Sequence, residues 1–439
     1  AWIVKAVGGT TIHWAGASLR FQDHEWKALT NYGKVDGASL LDWPIDAAEM
    51  APWYEKAETK LGVTRTGDRA GLPGNNNFKV LEKGAKALGY KEVHTGRMAI
   101  NSADYDGRVS CQQTGFCFQG CKWGAKWSAA YTDIPRGEAT GNLEVRDRCQ
   151  VARILHDDSG KVTGVEYFDK DGNLQMQKAR LVCVAGNSFE SPRLLLNSAS
   201  GKFPKGLANS SDQVGRNYMR HTTGSVYAVF EKPVRMWRGT TMAGIVRDEA
   251  RHDPSRGFVG GYELETLSLG IPFMAAFLNP GGWGRGFTSA LDEYENMAGM
   301  WIVGEDMPQA TNRVTLSETK DKFGLPVANV NFSDHPNDVA MRNHAYKAGQ
   351  QIYEAVGATR TFPTPPYPST HNLGTNRMSE KPEDGVVNKW GQTHDIKNLF
   401  VSDGSQFTTG AAENPTLTIV ALAIRQADHI AGEMSKGNI

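Results

Sequence analysis

Hydrophobic and polar positions along the chain alternate between a helical period and a strand-like period. Apolar residues recur with helical spacing in residues 51–63 and 78–90, which predicts two helices. Residues 142–157, 161–169 and 174–186 are rich in strand-forming residues and are separated by the turn sequences DDSG and DKDG. This part of the pattern predicts a β-meander that leads into a buried strand.

A junction between a strand and a helix follows the meander. The apolar run ARLVCVAG (residues 179–186) predicts the buried strand, and NSFESPRLLLNSA (residues 187–199) opens with Ser, Glu, Ser and Pro residues typical of a helix start. Junctions of this kind bind cofactor phosphates or pack against them.

The second half of the pattern predicts a further sheet and a long final helix. Residues 225–360 contain additional strand-like runs and one helical run over residues 337–358, which indicates a second, sheet-based domain. Residues 397–434 predict a short buried strand, a glycine-containing loop and an amphipathic helix.

Composition and charge narrow the function classes. Of the 439 residues, 40% are hydrophobic and 22% are charged, an ordinary globular composition with room for one large domain or two to three smaller ones. The 48 basic residues balance the 48 acidic residues, so no general attraction to nucleic acid or to an anionic membrane is predicted. No apolar run approaches the roughly 18 residues that predict a membrane span.

Three of the five cysteines are concentrated in the loop CQQTGFCFQGCKWGAKWS, residues 111–128. Thiolates are soft ligands for zinc, copper(I) and iron–sulfur clusters, and close-spaced cysteines with glycines between them are typical of iron–sulfur ligation. The loop therefore predicts an iron–sulfur site at Cys111, Cys117 and Cys121. A zinc site is one alternative, although zinc prefers four nitrogen or sulfur ligands and no histidine lies near the loop. Free or disulfide-bonded cysteines are the other alternative.

Five ordered motifs resemble those of the glucose–methanol–choline (GMC) flavoprotein oxidoreductases: VGGTTIHWAG, AGNSFESPRLLLNSA, VGRNYMRH, HNLGTNRM and NLFVSDGSQFTTGAAENPTLTIVALAI. The resemblance implies an α/β fold class, with an FAD-binding Rossmann-like domain and an α+β substrate domain that has an antiparallel sheet. We expect the FAD-binding domain over residues 1–30, 130–224 and 370–439, a helical insertion with the cysteine loop over 31–129, and the substrate domain over 225–369.

The family's opening segment is absent from this sequence. GMC proteins begin with a strand, a G-x-G-x-x-G turn and a helix that bind the FAD pyrophosphate, and no G-x-G-x-x-G follows a predicted strand here. We expect the N-terminal βαβ unit to be missing because the sequence is incomplete, with supply by another chain as the alternative.

The resemblance also implies a set of FAD-binding residues. Glycines without a Cβ let the backbone approach a cofactor closely, and the family's glycine loop touches the pyrophosphate and the isoalloxazine. The start of the last helix offers its positive end to the flavin. The implied cofactor contacts are Gly8, Gly9, Thr10, His13, Val151, Asp403, Gly404, Asn414, Pro415 and Thr416.

His13 has a second implied role. Its stretch TIHW is similar to one in pyranose oxidases and in large subunits of bacterial fructose and gluconate dehydrogenases, whose histidine can be bonded covalently to the flavin. The alternative is a hydrogen-bonded core histidine beside Trp14.

The chemistry of alcohol oxidation calls for a base. An alcohol that gives a hydride to flavin N5 must also lose its hydroxyl proton, to a group with a pKa near the working pH. His371 matches the family's catalytic histidine and Asn414 matches the second member of its His–Asn pair, so we predict that His371 takes the proton and Asn414 holds the oxygen. The alternatives are that His371 only ends the proline-rich stretch PTPPYP (residues 363–368) and that Asn414 only caps the last helix. His221 and His394 are predicted to be structural.

The predicted function is FAD-dependent oxidation of an alcohol group of a sugar, polyol or sugar acid, with electrons passed through the cluster to a cytochrome or quinone. The C-x5-C-x3-C spacing resembles that of bacterial FAD-dependent sugar dehydrogenases and favours a 3Fe–4S cluster, with a four-iron cluster that takes a further ligand as the alternative. The resemblance implies a small subunit, a cytochrome c subunit and a periplasmic location, with membrane association through a partner. The rival functions are a pyranose-oxidase-like oxidase, a hydroxynitrile-lyase-like flavoprotein and a subunit without FAD.

Overall fold

A computed structural model of the chain describes residues 3–271, 274, 278, 282–366, 369 and 371–439. Its strands are, in chain order, β1 Val93–Thr95, β2 Gln150–His156, β3 Val162–Phe168, β4 Leu174–Lys178, β5 Val182–Val184, β6 Thr222–Val229, β7 Gly244–Val246, β8 Tyr262–Thr266, β9 Met297–Gly304, β10 Arg313–Lys320, β11 Pro326–Asn331, β12 Arg360–Pro363 and β13 Leu399–Val401. Its α-helices are α1 Ala28–Tyr32, α2 Ala47–Leu61, α3 Asn76–Ala87, α4 Asp133–Ala139, α5 Asn187–Asn197, α6 Arg285–Asp292, α7 Pro336–Glu354 and α8 Thr416–Ser435.

A six-stranded antiparallel sheet with the order β1-β7-β8-β9-β6-β12 forms one half of the fold. Every residue of β6, β8 and β9 is buried, and α3 and α7 pack against these strands. Close packing of α7 requires Gly349, since a Cβ there would lie 2.9 Å from Cγ2 of Val226. The sheet also takes in β1, which comes from the predicted insertion.

A short parallel pair, β5 and β13, forms the centre of the other half. Helices α2 and α8 pack against each other beside this pair, and α5 follows β5 directly. The meander β2-β3-β4 is antiparallel, as predicted. In parallel pairs the carboxyl ends of the strands form the ligand-binding edge, so the loops after β5 and β13 are the place to look for a site.

The predicted elements and the observed ones differ mainly at their ends. The first meander strand begins only at Gln150, because residues 143–146 are irregular and a turn follows at residues 147–148, where Arg148 has a left-handed φ of 55°. The two predicted helices begin two to four residues earlier in the chain, at Ala47 and Asn76, where Asp46 and Asn75 accept hydrogen bonds as N-caps. None of the described helices is long and apolar enough to cross a membrane. The domain boundaries stay predictions.

Candidate active site

One large cavity lies at the carboxyl ends of β5 and β13. Its volume of about 1580 Å³ exceeds the roughly 300–1,000 Å³ of ordinary small-ligand pockets, so it suits a long ligand. All of the predicted cofactor-binding and catalytic residues line it except Gly8: Gly9, Thr10, His13, Val151, His371, Asp403, Gly404, Asn414, Pro415 and Thr416. The structure therefore brings residues from both ends of the chain to one site.

The glycine turn at Gly8 and Gly9 packs against Ala130. Gly8 has φ 89° and a Cβ there would lie 2.5 Å from Cβ of Ala130, so Gly8 serves the packing of the turn and does not line the cavity. Gly9 has φ 56° and open space where its Cβ would stand. Its backbone is thus accessible to a ligand from the cavity side, as a close cofactor contact requires.

Lys126 ties this turn to the cysteine loop. Its side chain is 1% exposed, and its ammonium donates to the carbonyl oxygens of Ile12 at 3.0 Å, Trp14 at 2.6 Å and Cys117 at 2.7 Å. Burial lowers the pKa of Lys126 to about 8. The carbonyls that flank His13 therefore lie within two hydrogen-bond lengths of the cysteine loop.

His13 lines the cavity and is only partly buried. Burial, with a smaller contribution from the positive charge of Lys126, lowers its pKa below the usual value, so its imidazole is neutral at neutral pH. The neighbouring Trp14 is the more anchored residue of the pair, because its indole N–H donates to the Trp127 carbonyl at 2.9 Å.

Asp403 acts as a tether between the two strand ends. Its Oδ2 accepts from the Asn187 N–H at 2.8 Å and from the Ser191 hydroxyl, and its Oδ1 accepts from the Ser405 N–H at 2.8 Å. Both carboxylate oxygens are thereby occupied by protein. These contacts hold the Asp403 carboxyl group in place between the two strand ends.

The N-terminus of α8 points at the same cavity. Asn414, Pro415 and Thr416 line it, and no side chain caps the first turn of the helix. The free backbone N–H groups and the helix dipole make this end attractive to an electron-rich acceptor. The N–H groups at the start of α8 and the accessible backbone at Gly9 are hydrogen-bond donors that fit the flavin ring and the pyrophosphate of FAD.

His371 and His221 form a pair at the wall of the cavity. Their Nδ1 atoms lie 3.0 Å apart, and Nε2 of His221 lies 2.9 Å from the carbonyl oxygen of Gly410. The ring of His371 stacks on Trp301 with centroids 6.3 Å apart and planes 6° from parallel. Burial, and then the neighbouring imidazole of His221, hold the pKa of His371 well below its usual value, so the ring is a neutral base.

Asn414 lines the same cavity and contacts a buried acid. Its Nδ2 donates to Oε2 of Glu265 at 3.4 Å, and its amide oxygen has no protein partner. Glu265 is 1% exposed, and burial raises its pKa to about 8. Glu265 is therefore largely a neutral acid at pH 7.

Further buried carboxyl groups lie behind the loop that carries Asn414. Arg247 pairs with Glu263 at 2.6 Å and with Glu413, so one cation faces two carboxyl groups, and burial raises the pKa of Glu263 well above its usual value. Glu25 and Glu305 lack such a cation, and burial raises the pKa of Glu305 to about 8 and that of Glu25 well above its usual value. The wall behind the site is thus held largely uncharged.

The three loop cysteines are partly buried against the core under the six-stranded sheet. Backbone N–H groups of Gln113 and Lys126 donate to the sulfurs of Cys111 at 3.4 Å and Cys121 at 3.5 Å. No disulfide joins any of the five cysteines, all of which the structure describes. Among the described residues, the three thiols do not all lie within 4.8 Å of one another.

Three residues near this site were not predicted from the sequence, and a fourth, His221, was not predicted to contact His371. Lys126, Glu265 and Trp301 carry no motif signal, because each depends on contacts between distant parts of the chain. His221 was predicted to be structural, yet it is in direct contact with His371. The signal was its place at the end of the VGRNYMRH motif.

Comparison with known proteins gives a consistent picture. Residues 2–223 match the N-terminal family model of the GMC oxidoreductases, and residues 308–423 match the C-terminal model. The chain is 35% identical over 458 residues to 2-methyl-1,2-propanediol dehydrogenase of Mycolicibacterium austroafricanum, with 99% of this chain and 82% of that protein covered. It is 29% identical over 470 residues to the fructose dehydrogenase large subunit of Gluconobacter japonicus, with the same coverage of 99% and 82%.

A solved structure supports the fold. Pyridoxine 4-oxidase from Mesorbium loti superposes with a TM-score of 0.69 at 17% identity, over 97% of this chain and 84% of that chain. The predicted fold class is thereby confirmed.

Proposed function

Because the chain belongs to the GMC oxidoreductase family, we propose that it oxidises an alcohol group of a sugar, polyol or sugar acid. Membership makes it an FAD-dependent enzyme that acts on CH–OH donors, and two of its relatives are named as dehydrogenases of a diol and of fructose. The observation that carries the proposal is that the neutral imidazole of His371 lines the same cavity as Asn414.

Bound FAD supplies the hydride acceptor for this reaction. The open backbone at Gly9, the strand end at Val151 and the N-terminus of α8 would hold it, since all three line the cavity. His371 takes the hydroxyl proton, for which a neutral imidazole is the required form. An amide hydrogen of Asn414 holds the same oxygen as negative charge develops on it.

The wall of the cavity narrows the substrate class. Met242, Leu267, Leu269 and Trp301 contribute an apolar surface on the side of the six-stranded sheet. An apolar wall leaves the hydroxyls of a free hexose without partners, and unpaired polar groups are costly to bury. We therefore favour a short polyol with an apolar substituent over an unmodified sugar.

The cysteine loop supports an electron relay as part of the proposal. Cys111, Cys117 and Cys121 would hold an iron–sulfur cluster of the 3Fe–4S type, which accepts electrons singly. The loop borders the cavity through Phe118, and Lys126 joins it to the backbone on both sides of His13. This arrangement supports transfer to a cytochrome c or quinone through a small partner subunit, and the periplasm is the compartment we propose.

The experiment is the visible spectrum of the native protein under anaerobic conditions, before and after addition of alcohols. We expect flavin absorbance that bleaches with substrate, fastest with 2-methyl-1,2-propanediol or a similar diol and more slowly with fructose and gluconate. Flavin colour that persists with every alcohol would contradict the proposal and favour a lyase-like role. An absence of flavin from the native protein would contradict it as well.

A further inference from the structure

We propose that His221 is a positioning residue that fixes the tautomer of His371, so that Nε2 of His371 is the bare nitrogen offered to the substrate hydroxyl. This inference rests on the proposed function, because it names the atom that takes the proton. It follows from two short contacts and from the hydrogen count of a neutral imidazole.

The first contact determines where His221 carries its hydrogen. The carbonyl oxygen of Gly410 lies 2.9 Å from Nε2 of His221. A carbonyl oxygen only accepts hydrogen bonds, so Nε2 of His221 must be the donor. His221 is 1% exposed, and burial lowers its pKa to about 4, so at neutral pH the ring has a single N–H. Its Nδ1 is therefore an acceptor.

The second contact transfers this constraint to His371. The two Nδ1 atoms lie 3.0 Å apart, a hydrogen-bond distance that requires one hydrogen between them. Since Nδ1 of His221 has none, Nδ1 of His371 is the donor. His371 is also neutral, so its Nε2 carries a lone pair and no hydrogen.

The ring of His371 is oriented so that this lone pair can be used. Nδ1 is turned toward His221, and Trp301 stacks in parallel on the ring with centroids 6.3 Å apart. The side of the ring that carries Nε2 is then the side left for the cavity that His371 lines. A base needs a free lone pair within reach of the hydroxyl, and only this tautomer provides one.

The backbone around His221 is arranged for the same contact. His221 has φ 61°, a left-handed conformation that non-glycine residues rarely adopt and that is concentrated at functional sites. The N–H of the preceding residue, Arg220, donates to Oδ2 of Asp306 at 2.7 Å, which secures the turn. A Cβ on Gly410 would lie 3.0 Å from Cδ2 and 3.2 Å from Nε2 of His221, so glycine allows the ring to reach the carbonyl.

The direct test is nitrogen NMR of the holoenzyme labelled with ¹⁵N-histidine, with His371 assigned by loss of its signals in His371→Gln. We expect a protonated Nδ1 and a bare Nε2 for His371 in the unsubstituted protein. A protonated Nε2 would overturn the inference. This result is independent of catalysis: if His371→Gln bleached its flavin normally, the proposed function would fail whatever the tautomer.

Two variants test the acceptor and the donor of His221 separately. In His221→Asn the amide oxygen falls near the place of Nδ1 and can still accept from His371, whereas in His221→Gln the amide reaches Gly410 but leaves no acceptor at that place. We expect His221→Gln to lose the single tautomer and to slow flavin bleaching by roughly one to three orders of magnitude, within the loss expected for removing a base. His221→Asn should keep the tautomer and lose much less.

Equal losses in the two variants, with the tautomer of His371 unchanged, would show that His221 is only structural. Thermal melting establishes that both variants fold. If His221→Gln does not fold, the NMR spectrum of the unsubstituted protein decides the question alone.

Discussion

The side-chain amide of Asn414 donates to the carboxyl group of Glu265 over 3.4 Å, and that carboxyl group is 1% exposed. In the proposed reaction, a neutral acid at this position leaves no charge beside the oxygen that Asn414 would hold. An ionised one would oppose the negative charge that develops on that oxygen. The protonation state of Glu265 therefore bears directly on the reaction.

The pH dependence of flavin reduction tests this relationship. Burial raises the pKa of Glu265 to about 8, so we expect the rate to fall as the pH rises through that value. Glu265→Gln cannot ionise, so its rate should fall much less between pH 7 and pH 9 than that of the unsubstituted protein. The other ionisable groups on this side are Glu25, Glu305, Glu263, Glu413 and Arg247, and Arg247 pairs with both Glu263 and Glu413.

Glu305→Gln is the matched control for that experiment. Burial raises the pKa of Glu305 to about 8 as well, but its Oε1 accepts from the Tyr32 hydroxyl at 2.8 Å and not from Asn414. If the alkaline loss disappears in Glu305→Gln and persists in Glu265→Gln, the assignment to Glu265 is wrong.

Acid stability is expected to depend on His221. Its pKa of about 4 lies below the usual 6.5, so between these values the unfolded chain binds a proton that the folded chain does not. Stability should therefore fall as the pH drops from 6.5 to 4, by about 1.4 kcal/mol per pH unit for this histidine. His371, Asp306 and Glu413 are the titratable groups that face it. Thermal midpoints from pH 7 to pH 4.5 should fall less steeply in His221→Asn, and an identical slope would contradict the prediction.

His13 is expected to bond covalently to the flavin. It lines the cavity on the same turn as Gly9, and its lowered pKa keeps the imidazole neutral and nucleophilic. Acid-precipitated protein should stay yellow, and the peptide with residues 6–20 should gain the flavin mass. His13→Ala should release all flavin into the supernatant. Complete release from the unsubstituted protein would leave His13 as a non-covalent contact, with the dehydrogenase proposal intact.

The relay predicts that Cys117→Ser separates two activities. Reduction by substrate should continue, because the proposed proton and hydride transfers do not involve the cysteines, and small dyes should still be reduced. Transfer to a cytochrome c acceptor should fall to background, with loss of iron and of the low-temperature EPR signal of the oxidised protein. Gln112→Ala, exposed in the same loop, is the control. Parallel losses with every acceptor, or active protein without iron, would contradict the relay.

Local sequence patterns were sufficient to predict several helices and two residues of the cavity, His371 and Asn414. The helical period predicted α3 and α7, and the motifs that contain His371 and Asn414 placed both residues at the cavity. Both depend on short stretches of sequence, where spacing and capping residues carry the signal.

Long-range contacts were beyond the reach of such patterns. Glu25 and Glu413 interact across almost the whole chain, and Lys126 binds carbonyls more than 100 residues away. The three residues of β1 join the large sheet only because β7 offers an edge. Burial and hydrogen-bond partners of this kind appear only when the chain is folded, which is why the contact between His221 and His371 could not be predicted.

The limiting rate of flavin bleaching in His371→Ala, measured by anaerobic stopped flow at saturating substrate, tests the central claim most directly. His394→Ala is the control, since His394 contacts Ser379 at 3.1 Å and does not line the cavity. We expect His371→Ala to retain its FAD and to bleach roughly two to four orders of magnitude more slowly than the unsubstituted protein, with His394→Ala unaffected. A His371→Ala rate within a few-fold of the unsubstituted protein would show that another group takes the proton.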